Sequence, residues 1–139
     1  MSARILIVDD HATARIAIRQ LLEWEGFQVC GEAADGKHAI EKVIELEPEI
    51  VLLDINMPIM NGIAAASEIR RPSPTTKIVF LTINDGPGFV AGTRSLASGF
   101  VPKSAAGTEL IPMMHRLTGI PRDASVKSPL GQVSKTGTP

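Results

Sequence analysis

Asp9 and Asp10 follow the apolar run Ile5-Leu6-Ile7-Val8, Asp54 follows Ile50-Val51-Leu52-Leu53, and Lys103 closes Gly99-Phe100-Val101-Pro102. Carboxylates brought together repel one another, and a hard divalent metal relieves that repulsion. Mg2+ prefers oxygen ligands, keeps several waters and often completes its shell with a phosphate oxygen. Such a site suits a carboxylate that receives a phosphoryl group, because the cation offsets charge on the phosphoryl oxygens during in-line attack. Lys103 adds a point charge for the same anion. Thr82, at the end of Lys77–Thr82, offers a hydroxyl donor nearby.

For these residues to meet, the apolar runs must be neighbouring strands. Short β-branched runs bounded by polar residues read as strands buried on both faces, as in parallel sheets, and ligands of such sheets bind just outside the carboxyl ends of the strands. Strand-like and helix-like segments alternate along the chain, which predicts an α/β fold. The expected strands are Arg4 to Val8, Phe27 to Ala33, Ile50 to Asp54, Lys77 to Thr82 and Gly99 to Pro102. The second alternates polar and apolar residues and reads as an edge strand. Pro102 places the fifth at an edge as well.

Five helices are expected between and after the strands. The first, Ala12 to Glu25, puts Ala14, Ile18, Leu21 and Leu22 on one face and ends at Gly26. The second, Gly36 to Leu46, buries Ile40, Val43 and Ile44 before Pro48, and the third, Ile63 to Ile69, stops before Pro72 and Pro74. A fourth runs through Phe89, Arg94 and Leu96; Gly92 makes it the softest element, at about 0.5–1 kcal/mol relative to alanine. The fifth starts near Thr108 and carries Leu110, Met113, Met114 and Leu117 at helical spacing, with Pro112 in its first turn. Trp24 and the methionines read as packing residues.

Composition narrows the classes further. The chain has 139 residues, enough for one domain with one core. Fourteen Lys and Arg against fifteen Asp and Glu leave a net charge of −1, so no global field points to nucleic acid or an anionic membrane. The basic residues Arg122, Lys127 and Lys135 are too sparse to change that. A lone Cys30 excludes an internal disulfide and suits a reducing compartment, where it is expected to be a buried thiol. No apolar stretch approaches the roughly 18 residues of a membrane span, and the start of the chain does not read as a signal peptide. A cytoplasmic protein is expected. From Gly119 onward, eleven of twenty-one residues are Gly, Pro, Ser or Thr, which predicts a domain over residues 1–118 and a flexible tail over 119–139.

Together, Ile7-Val8-Asp9-Asp10-His11, Leu52-Leu53-Asp54-Ile55-Asn56-Met57-Pro58 with Asn61-Gly62, Leu81-Thr82 and Gly99-Phe100-Val101-Pro102-Lys103 resemble the receiver domain of two-component response regulators. The resemblance covers about Arg4 to Leu117, and the four motifs stand in the family's order. The Asp-Asp-His opening and the Phe-Val-Pro-Lys-Ser ending look most like receivers joined to a LuxR-type output domain, yet the stretch after the fifth helix is too short for one. A flavodoxin-like, doubly wound, five-stranded parallel sheet of order 2-1-3-4-5 with five helices is implied.

What else the resemblance implies is a set of roles. Asp54 would be the phosphoacceptor, and Asp9, Asp10, Asp54 and the backbone carbonyl of Asn56 would hold Mg2+. Thr82 and Lys103 would bond the phosphoryl oxygens. Phe100 would change rotamer as Thr82 moves, remodelling the face of the fourth helix, fifth strand and fifth helix. His11 would be a loop residue beside the acids, and Asn56 and Asn84 would tune water access to the acyl phosphate. The implied partners are a sensor histidine kinase or phosphotransfer protein and a downstream protein target, with a phosphorylation-dependent homodimer as one arrangement. Neither nucleic acid nor membrane is implied for this domain, and no enzyme activity beyond its own phosphorylation and dephosphorylation. Two rivals stand beside this reading. One is a receiver fragment of a DNA-binding LuxR-type regulator. The other is a haloacid-dehalogenase-like phosphatase, which would want an acid where Asn56 stands.

Overall fold

A computed structural model describes residues 3–57, 59–83 and 96–119. Along the chain run β1 (Arg4–Val8), α1 (Ala12–Trp24), β2 (Gln28–Ala33), α2 (Gly36–Leu46), β3 (Ile50–Asp54), α3 (Gly62–Arg70), β4 (Lys77–Thr82) and β5 (Gly99–Pro102). A single 3-10 turn (Lys103–Ala105) then leads into a helix at Ala106–Thr118, here α4. The expected fourth helix lies outside the described residues except for Leu96, which sits in a turn, and the expected tail lies outside them beyond Gly119.

All four strand pairings are parallel, and the order is β2-β1-β3-β4-β5. The expected order is therefore the observed one, with β2 and the Pro102-bearing β5 at the two edges. Strand alternation sends Ile5, Ile7, Ile50, Leu52, Val79 and Leu81 to one face, where α1 and α4 cover them with Ile18, Leu22, Leu110 and Met114. Leu6, Val8, Val51, Leu53, Ile78 and Phe80 point to the other face, under α2 and α3. Both faces are covered, which is why the central strands β1, β3 and β4 are near-continuous apolar runs. The β1–β2 register slips between Ile5 and Leu6, so Cys30 is the extra residue of a bulge. Its Sγ donates to the Ile5 carbonyl at 3.5 Å; on this edge strand the thiol is partly rather than fully buried as expected, and that partial burial pushes it up, away from reactivity.

Helix boundaries follow local chemistry. Asp35 caps α2 by accepting from His38 N at 2.9 Å, and Asn61 caps α3 by accepting from Ala64 N at 2.9 Å. Gly26 at φ 93° follows α1 as expected. At the end of α2, Glu47 itself takes a left-handed φ of 49° ahead of Pro48.

The last helix begins at Ala106, not near Thr108, because the 3-10 turn after Lys103 is already helical in sense and feeds directly into it. Pro112 therefore sits in the second turn. The carbonyl it leaves without a partner belongs to Thr108, and both residues are exposed to water. Ile44 is 57% exposed, since Ala39 and Val43 supply the buried face of α2. Trp24 is 49% exposed and contributes little to the core. The second strand starts at Gln28; Phe27 is buried against the ring of His115, centroids 5.1 Å apart.

Candidate functional site

Parallel pairing puts the carboxyl ends of β1, β3, β4 and β5 along one edge of the sheet. The Asp9 backbone N–H extends the β1–β2 ladder to the Ala33 carbonyl at 3.1 Å, so the residue after Val8 is held as firmly as the strand. Its side chain is fully buried. Asp9 Oδ1 accepts from His11 N at 2.8 Å, and Asp54 Oδ1 accepts in the same way from Asn56 N at 3.1 Å. Each buried acid is thus oriented by the turn that follows it.

Lys103 enters from the far edge of the crevice. Its Nζ lies 3.0 Å from Asp9 Oδ2 and 3.2 Å from Asp54 Oδ2. Asp10 keeps its side chain 24% exposed, at the mouth. Thr82 ends β4, fully buried, and Asn56 lies exposed in the loop after β3. Phe100 pairs in register with Phe80, the rings 5.6 Å apart, so it joins the core on the α3 side while remaining partly accessible. All the residues singled out by sequence, apart from Asn84, which is not described, lie at or just behind this one edge.

Charge in the crevice is unbalanced. Burial first, and then the neighbouring Asp9 charge, raise the Asp54 pKa above the ordinary carboxylate value, against the pull of Lys103 and the Asn56 N–H. Burial works to lower the Lys103 pKa, but the two acids outweigh it and hold the ammonium above its ordinary range. Among the described residues no aligned hydrogen-bond donor reaches the buried Asp9 Oδ2, Asp10 Oδ1 or Asp54 Oδ2; the Lys103 contacts to two of them have ion-pair distance but not hydrogen-bond geometry. One ligand atom from each of Asp9, Asp10, His11 and Asp54 falls within 4.8 Å of the others. Hard oxygen donors in surplus over the local cation are what a divalent ion requires, so the residues fit Mg2+.

Three positions to which the sequence assigned no role, Arg15, Gly36 and Gly62, support the site. Arg15 Nη1 donates to the Asp9 carbonyl while its Nε bonds Glu32 Oε1 at 2.9 Å, pinning the turn between β1 and α1 to β2. An added Cβ on Gly62 would stand 2.4 Å from the Asp54 carbonyl oxygen and 2.8 Å from Ile55 Cα. One on Gly36 would stand 2.8 Å from the Met60 carbonyl oxygen. The loop after β3 is therefore clamped between α3 and α2 at two glycines. Asn61-Gly62 is visible as a motif in the sequence; the backbone approach that explains it is not.

A family model described as the response regulator receiver domain matches residues 5–115. The chain is 47% identical over 119 residues to the chemotaxis protein CheY of Thermotoga maritima, covering 85% of this chain and 99% of that protein. It spans 51% of one other curated relative and 28% of another. Among solved structures, a LuxR-family response regulator from Aurantimonas superposes with TM-score 0.80 at 35% identity, covering 86% of this chain and 87% of that one. The CheX-CheY-BeF3-Mg2+ complex from Borrelia burgdorferi gives TM-score 0.80 at 26% identity, covering 84% and 89%.

Proposed function

This chain belongs to the response regulator receiver domain family, a signalling domain of two-component systems, and on that premise we propose that it accepts a phosphoryl group on Asp54 from a phosphohistidine donor. The observation that carries the reading is the meeting of Asp54 with Asp9, Asp10 and Lys103 at the carboxyl edge of the sheet. In the transfer an Asp54 carboxylate oxygen attacks phosphorus, the nitrogen–phosphorus bond breaks, and the imidazole leaves with the electron pair. The buried position that raises the Asp54 pKa also leaves its carboxylate poorly solvated, hence more nucleophilic.

Mg2+ held by Asp9, Asp10, Asp54 and the Asn56 carbonyl would supply charge neutralisation for the phosphoryl oxygens. Support for that ion comes from the donor set described above and from the Borrelia burgdorferi relative, whose complex is named with BeF3 and Mg2+. Lys103 exchanges one carboxylate contact for a phosphoryl oxygen. Thr82 contributes its hydroxyl to the same group, and Phe100, opposite Phe80 and two residues short of Thr82 along the β4–β5 ladder, takes up the space that Thr82 vacates. The face that responds is then the expected fourth helix together with β5 and α4. This domain needs only a kinase or phosphotransfer protein upstream and a protein target downstream, in a reducing, cytoplasmic setting that suits the unpaired Cys30; a phosphorylation-dependent homodimer remains part of the proposal. Among the described residues no helix is long and apolar enough to cross a membrane.

A second reading, a receiver that works within a longer regulator, is favoured by the relatives of which this chain spans only a half or less. Both readings use the same chemistry at Asp54. Incubation with acetyl phosphate and Mg2+ should add one phosphoryl mass to the protein, Asp54→Asn should abolish the addition, and Asp10→Ala should slow it strongly. Undiminished labelling of Asp54→Asn would refute the assignment.

A further inference from the structure

His11 stands closer to the acids than a mere loop neighbour. Its Nδ1 lies 3.1 Å from Asp10 Oδ1 and 3.4 Å from Asp9 Oδ1. Around a six-coordinate cation with bonds of about 2.1 Å, adjacent ligand atoms lie about 3.0 Å apart and opposite ones about 4.2 Å. The imidazole nitrogen is thus at the spacing of adjacent ligands from Asp10, and slightly wider from Asp9. Extended backbone at His11 (φ −102°, ψ 115°) and its N–H bond to Asp9 Oδ1 fold the residue back over the acids. Charge attraction between the ring and the carboxylates explains the proximity alone. It does not explain Asp9 Oδ2 and Asp54 Oδ2, which among the described residues lack aligned donors in side chains 0% and 1% exposed and share a single ammonium.

Resting on the divalent-cation reading of this site, we propose that His11 coordinates the ion through Nδ1 and gives the site a preference for borderline divalent cations such as Co2+ or Ni2+ over Mg2+. Carboxylate, carbonyl and water oxygens suit Mg2+, whereas imidazole is a good ligand for later first-row ions and a poor one for Mg2+. Asp9, Asp10 and Asp54 alone would bind either class through oxygen. A nitrogen donor steepens the ranking.

The test compares Mg2+ and Co2+ titrations, by calorimetry, of tag-free wild type, His11→Ala and Asp10→Ala. The titrations are run at about pH 8, since a metal competes with protons for its nitrogen ligands. The His11 side chain is 70% exposed, so its removal leaves the core untouched. His11→Ala should lower Co2+ affinity tenfold or more, about 1.4 kcal/mol, while Mg2+ affinity stays within about twofold. Asp10→Ala should weaken both ions. Co2+-loaded wild type and His38→Ala should both show a paramagnetically shifted imidazole signal that His11→Ala lacks. Equal Co2+ binding by wild type and His11→Ala, with Mg2+ binding intact, would overturn the inference and leave the cation site standing. Failure of wild type to bind either ion would overturn both.

Discussion

The Nζ of Lys103 lies 3.2 Å from Asp54 Oδ2, although their strands are not neighbours. Strand β4 runs between β3 and β5, and two strand spacings amount to about 9.6 Å. A lysine side chain is long enough to reach across the end of β4, and Thr82 is the residue that ends it. One ion pair therefore spans three strands and ties the far edge of the sheet to the proposed phosphoacceptor.

Lys103→Met removes the only described cation in contact with two buried carboxylates. Leaving a buried charged group without its partner costs about 1–3 kcal/mol or more. In chelator the variant should unfold at lower denaturant concentration than wild type, and added Mg2+ should recover more stability in the variant than in wild type. Equal unfolding curves in chelator would mean that the ion pair contributes nothing.

The Asp54 shift sets a pH dependence. Its folded pKa is raised by burial and by Asp9, so the folded protein holds a proton where the unfolded chain, with a pKa of about 3.9, has released it. This group's contribution to stability therefore falls as pH rises from about 3.9 through the folded pKa, then stays level. Asp54→Asn escapes that loss. In chelator it should be more stable than wild type at neutral pH, with the gain fading as the pH drops below the ordinary carboxylate range. Denaturation at a series of pH values measures this, and a wild type more stable than the variant at neutral pH would contradict it.

Gly62→Ala forces a methyl against the Asp54 carbonyl and the Ile55 backbone, neither of which can swing aside as a side chain end could. Overpacking of this kind costs about 1–3 kcal/mol. The displaced backbone carries Asp54 itself, so labelling by acetyl phosphate should fall along with stability. Gly107→Ala, where an added Cβ meets nothing within 4 Å on a helix, is the control and should leave labelling unchanged and stability unchanged or raised by up to about 1 kcal/mol.

Glu32 on β2 is clasped by two arginines of α1, Arg15 Nε at 2.9 Å and Arg19 Nε at 2.7 Å. Burial works to raise its pKa, but the bonds from Arg19 and Arg15 outweigh it and hold the carboxyl below its ordinary value. The stability this clasp contributes is present above the unfolded pKa of about 4.3 and is lost as pH falls through the folded one. Glu32→Gln should cost about 0.5–1 kcal/mol at neutral pH, since the pair is partly solvated. That difference from wild type should vanish in acid; a pH-independent difference would assign the loss to packing instead.

Sequence alone determined the strands, their parallel character and the residues that close them, because apolar runs at fixed lengths leave few other folds and acids at strand ends have few structural uses. Helix stops were legible for the same local reason at Gly26 and Pro48, whereas the caps at Asp35 and Asn61 emerged only with the structure. What the sequence could not hold was anything decided by two distant backbones meeting. The exposure of Trp24 and Ile44 depends on which helix face finds the sheet. The start of α4 depends on the turn that brings Lys103 to Asp9 and Asp54. Gly62, Gly36 and Arg15 gain their importance from a carbonyl oxygen each of them touches in a loop formed elsewhere in the chain. Likewise His11 is one more polar loop residue until the turn after β1 folds it onto the acids, since a 3.1 Å contact is a property of tertiary geometry and not of spacing along the chain.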